Sequence, residues 1–153
     1  MNTVAIFGAI DRVLTALWVG GLWAVGYLAV PTLFYTLDDR KLAGELAGRM
    51  FSTMNTVSFI CGFGIIALTL LAARSAWFKN VRVWVAVIMV MIVAVSAFGL
   101  QPQMQALKAT GLVENSVEAA QFGQLHGISS ALYMALSVLG LFMVIKGRPQ
   151  PAR

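Results

Sequence analysis

One histidine, His126, stands among the 153 residues, and imidazole is the side chain best suited to hold a metal ion or a haem iron. Copper(I) favours soft thioether ligands, and Met54 and Met104 fall at the same depth of the apolar pattern as His126. Tyr35, Asn55, Gln101, Gln103 and Gln124 share that level, so the set could line a pocket for a copper-like ion or a small polar ligand. The competing reading makes His126 a packing residue that hydrogen-bonds Asn55 or Gln101. Cys61 lies seven residues after Met54, on the same helical face, where a small apolar residue would also serve. With no second histidine, a bis-histidine haem within one chain is excluded, and haem is disfavoured. The sequence also lacks a GxSxG elbow, a glycine-rich phosphate loop, HExxH and a pair of buried carboxylates, so a non-enzymatic role is favoured.

These side chains must be held by elements built from a very apolar chain. It is 59% hydrophobic and only 11% charged, where a soluble domain carries about a quarter charged residues. Mean hydropathy is +0.83. Four stretches carry no Asp, Glu, Lys or Arg: residues 13–37, 50–73, 83–107 and 119–145. Each exceeds the ~20 residues a helix needs to cross a bilayer, and none alternates with period two as barrel strands do. Backbone groups in lipid must be satisfied internally, which leaves four membrane helices. The expected architecture is an all-α, antiparallel four-helix transmembrane bundle with helices at about 12–37, 50–74, 81–101 and 118–146. Residues 1–147 form its single domain, and 148–153 a short flexible cytoplasmic tail. Because no charge falls inside the four stretches, an ion-coupled transporter acting alone is disfavoured.

The net charge of +5 reads as orientation in the membrane, with no nucleic-acid partner. Seven basic residues fall on the side of the termini, including Arg12, Arg74, Lys79, Arg82 and Lys146, and four on the other, with five of the six acids. The positive-inside rule then puts both termini in the cytoplasm, with Trp77 and Trp84 as interfacial anchors. Asp39 and Asn115 are the expected helix starts, so helices two and four extend on the outer side. Gln101-Pro102 is the expected outer end of helix three. Small or polar residues mark the contact faces: Ala16, Gly20 and Ala24 in helix one, Asn55, Ser58, Gly62 and Thr69 in helix two, and Ser130, Tyr133, Ser137 and Gly140 beside His126 in helix four. Helix three, mostly Val, Ile, Met and Ala, is expected to face lipid more. His126 is expected to point into the bundle.

The stretch LWVGGLWAVGYLAVPTLFYTL, the following AGELAGRMF, QPQM at 101–104 and FGQLHGISSALY at 122–133 resemble the transmembrane-protein-205-like family of small four-helix membrane proteins. That family is itself distantly similar to CopD-type copper-resistance and HemJ-type membrane haem proteins. The resemblance implies a four-helix fold and a link to metal tolerance, although those relatives use several His or Met ligands where this chain has one histidine. Three functions follow as expectations for a protein of the bacterial inner membrane in contact with lipid, the weakest of them a membrane haem or redox protein. The first is an outer-facing pocket around His126 for a metal ion or small polar ligand. The second is a non-catalytic module, either a homo-oligomer or an accessory subunit of a larger membrane complex.

Overall fold

Helices run through all four charge-free stretches in the computed structural model, which describes residues 3–73, 78, 80–111, 113 and 115–147. Helix α1 covers residues 3–36, built as Thr3–Trp23, a π-helical turn Ala24–Ala29, and Val30–Thr36. Helix α2 is Arg40–Ala73. Helix α3 covers 81–109, as Val81–Ala94, a second π turn Val95–Leu100, and Gln101–Ala109. Helix α4 is Val117–Lys146. All four are long and apolar enough to cross a membrane, and no strand occurs among the described residues. The chain is an integral membrane protein. The terminal end of the bundle holds the start of α1 and the end of α4; the distal end holds the connections after α1 and α3. The expected tail at 148–153 and the anchor Trp77 lie outside the described residues.

Both prolines inside helices follow a π turn. Proline has no N–H and its ring strikes the carbonyl four residues back. The wider turn relieves this: Val30 N–H donates to Val25 O, and Gln101 N–H to Ser96 O, each five residues back. Helix α3 therefore does not end at Gln101-Pro102 as expected, but continues to Ala109.

Side-chain caps set the other boundaries. Asp39 Oδ1 accepts from Lys41 N–H (2.8 Å) and Leu42 N–H (3.1 Å), starting α2 ten residues before its charge-free run. Asn80 Oδ1 accepts from Arg82 N–H at 3.1 Å. At α4 the cap is Ser116, whose Oγ accepts from Ala119 N–H at 3.1 Å. The expected cap, Asn115, instead takes the left-handed turn before it, with φ 64°, a conformation asparagine tolerates.

The core contradicts two expectations about faces. Helix α3, expected to be the most lipid-exposed, buries Val83, Val85, Ala86, Met89, Val90 and Val93. Its uniform apolar surface packs into the middle of the bundle, since lipid and protein interior are equally apolar partners. In α1 the small stripe Ala16, Gly20 and Ala24 is exposed, and the packed face is Asp11, Thr15, Trp18, Val19 and Leu22. Trp18 is wholly buried, and Gly62 of α2 makes room for it: a Cβ there would stand 2.9 Å from Trp18 Cη2 and strike Val90.

Candidate functional site

The His126 side chain makes no hydrogen bond to Tyr35, Asn55, Gln101, Gln103 or Gln124. His126 is exposed, and its ring lies nearly parallel to that of Phe122, 6.0 Å away. The physical reason is how α4 packs. Its buried residues, Leu136, Ser137, Gly140 and Met143, all lie toward the terminal end. At the distal end Phe122, four residues before His126 on the same face, lies below the ammonium of Lys108 (5.5 Å), while His126 itself stays exposed. Tyr35 is 94% exposed. Gln124 is exposed, and Gln103 Nε2 donates along its own helix to Gly99 O at 2.8 Å. Gln101 and Met104 are half-buried on α3. Met54 belongs to the core with Trp18 and Leu22, and Asn55 Nδ2 is buried without a hydrogen-bond partner among the described residues. No cluster of three His, Cys, Asp or Glu side chains able to hold a metal occurs among the described residues.

What the distal half does contain is a groove between α1 and α2. It measures about 510 Å³ and is lined by Gly21, Val25 and Leu33 on one wall and Leu46, Arg49, Met50, Thr53, Met54 and Val57 on the other. From Leu46 to Val57 the wall rises ~17 Å at 1.5 Å per residue, close to half of the ~30 Å hydrocarbon core. Gly21 lets the Met54 side chain pack against α1, since a Cβ there would sit 2.9 Å from Met54 Sδ. On α4, Tyr133 donates its hydroxyl to Leu22 O at 2.6 Å, and its ring meets Phe51 edge-on at 5.1 Å. Those two contacts fix α1 and α2 relative to α4 beside the groove. Its walls are apolar apart from Thr53, whose hydroxyl donates to its own helix at Arg49 O (3.1 Å), and the Arg49 side chain. Arg49 is the last charge before the run that begins at Met50.

The second feature was missed in the sequence. Asp11 and Arg82, 71 positions apart, form an ion pair at 2.9 Å that is 1% and 6% exposed by residue. The guanidinium also donates to Met143 O on α4 at 2.7 Å and to the Thr15 hydroxyl, which in turn donates to Asp11 O at 2.8 Å. The sequence pattern puts Arg82 among the basic residues on the side of the termini. The signal was the spacing Asp11, Thr15, Trp18, Leu22, which repeats at i, i+4, i+7 and i+11 and puts the carboxylate on the core face. One arginine fork thus ties three helices at the terminal end, a geometry lysine could not reproduce.

A family model matches residues 13–112, the span from α1 to the end of α3, and its description is a domain of unknown function, DUF4149. The chain belongs to this family. No curated protein and no solved structure matches it. The groove lies wholly within the matched segment, and His126 lies beyond it.

Proposed function

We propose that this DUF4149 protein is a non-catalytic membrane module that holds an apolar ligand in the groove between α1 and α2. The observation that carries this reading is the groove itself: a leaflet-deep channel with apolar walls in a helix pair fixed on its other side. Water in such a channel would find few hydrogen-bond partners, so an apolar guest is the favoured occupant. The seven-to-four bias of basic residues supports cytoplasmic termini, with the distal end as the outer one. A bacterial inner membrane fits this arrangement. The copper-like site around His126 has less support, because its ligands are spread over exposed and core positions. The likeness to the transmembrane-protein-205-like family supports a small four-helix protein and brings no ligand set with it.

Organic extraction of protein purified in mild detergent, followed by mass spectrometry, tests the reading. About one apolar molecule per chain is expected, and Thr53→Trp or Val25→Trp, which fill the groove from opposite walls, should lose it with helicity unchanged. Equal recovery from wild type and both variants would overturn it. A second reading, an accessory subunit or homo-oligomer, is favoured by the exposed small stripe Ala16, Gly20 and Ala24, since such stripes let transmembrane helices approach closely. Under that reading Gly20→Leu dissociates an oligomer seen by crosslinking in native membranes.

A further inference from the structure

The position of Arg49 allows the occupant of the groove to be named by class. The guanidinium is exposed, lines the distal mouth of the groove, and has no ion pair or hydrogen bond among the described residues. Glu45, one helical turn away and also exposed, does not pair with it. Arg49 directly precedes the 24-residue charge-free run of α2, so its depth is that of the headgroups, where long basic side chains reach out of the hydrocarbon. Directly below it the lining, Met50 to Val57 on α2, is apolar apart from Thr53 over about 12 Å at 1.5 Å per residue, most of the depth of one leaflet. A ligand complementary to both parts has an anionic head that accepts hydrogen bonds from a guanidinium and a single long hydrocarbon tail lying along Gly21, Val25 and Val57.

Resting on the groove-holding function proposed above, we propose that this site binds one anionic glycerophospholipid, its phosphate on Arg49 and one acyl chain in the groove. A planar guanidinium meets a phosphate through two parallel N–H···O bonds, and the attraction is weaker for phosphatidylcholine because its own quaternary ammonium offsets the phosphate charge. The surrounding bilayer is the reservoir of the ligand, so no other partner is required. Arg40, also exposed on α2 but outside the groove lining, provides an internal comparison.

Native mass spectrometry of the full chain, released from micelles doped with equimolar phosphatidylglycerol and phosphatidylcholine of identical chains, tests the assignment. Wild type and Arg40→Gln should retain one lipid, with phosphatidylglycerol favoured about fivefold or more, as expected for a charge-assisted pair. In Arg49→Gln one lipid should still be retained but without preference, and Thr53→Trp should retain neither. A preference that survives Arg49→Gln, or is absent from wild type, overturns the anionic-lipid assignment while leaving the groove occupied. If Thr53→Trp retains as much lipid as wild type, the groove is not the site and the function proposed for it fails too.

Discussion

Breaking the Asp11–Arg82 pair should cost far more than breaking an ion pair on a protein surface. Both side chains are nearly inaccessible, at 2% and 6%, so neither charge can be re-solvated without parting α1, α3 and α4. Asp11→Asn keeps the shape of the side chain but takes the carboxylate away from the buried guanidinium, which still donates to Met143 O and Thr15 Oγ1. A buried charge stripped of its partner costs about 3–5 kcal/mol. Arg82→Met leaves the carboxylate in the same position and should cost a similar amount. The double variant removes both charges and returns part of the loss, because no unpaired charge is left buried. If the double variant costs no more than either single one, the coupling from the double-mutant cycle is at least one single cost, roughly 3–5 kcal/mol. Equilibrium unfolding in mixed micelles of mild and denaturing detergent, followed by circular dichroism, measures all four proteins. If either single variant costs less than about 1 kcal/mol, the level of an exposed pair, and the double variant is additive, the burial argument is wrong.

Three further outcomes are expected. Gly62→Ala should destabilise by about 1–3 kcal/mol, since its methyl would meet Trp18 and Val90, whereas Gly127→Ala, with open space around it, should be neutral or slightly stabilising in the same assay. Tyr133→Phe loses the bond to Leu22 O and should cost about 0.5–1.5 kcal/mol by equilibrium unfolding, without unfolding the bundle. His126→Gln should change neither helicity nor copper content by elemental analysis, because the ring is exposed and stacked on Phe122; loss of a stoichiometric metal would restore the pocket reading.

The position of each residue along its helix was legible in the sequence, and its direction around the helix axis was not. Charge-free runs located four helices, and Asp39 located the start of α2, because both signals are local. The helix ends at Pro102 and Asn115 were misplaced because a π turn and a left-handed residue each answer a local steric conflict by means the residue types alone do not specify. The facing of α3 and of the Ala16, Gly20, Ala24 stripe was misjudged for another reason. In lipid, an apolar surface carries no sign of whether a neighbouring helix or an acyl chain covers it. The same ambiguity hid the groove, whose lining contains nothing but Arg49 and Thr53 to set it apart from the rest of α1 and α2. Asp11 and Arg82 escaped notice because each stands next to the end of an apolar run, where a charge ordinarily faces water. Only the packing of α1 against α3 and α4 turns them inward.

A density map of the full chain in nanodiscs containing phosphatidylglycerol, at a resolution that shows acyl chains, tests the central claim most directly. One continuous elongated density along Gly21, Val25, Thr53 and Val57, ending in a head within hydrogen-bond distance of the Arg49 guanidinium, is the predicted result. Direct contact of α1 and α2 across a closed groove with no intervening density would contradict it.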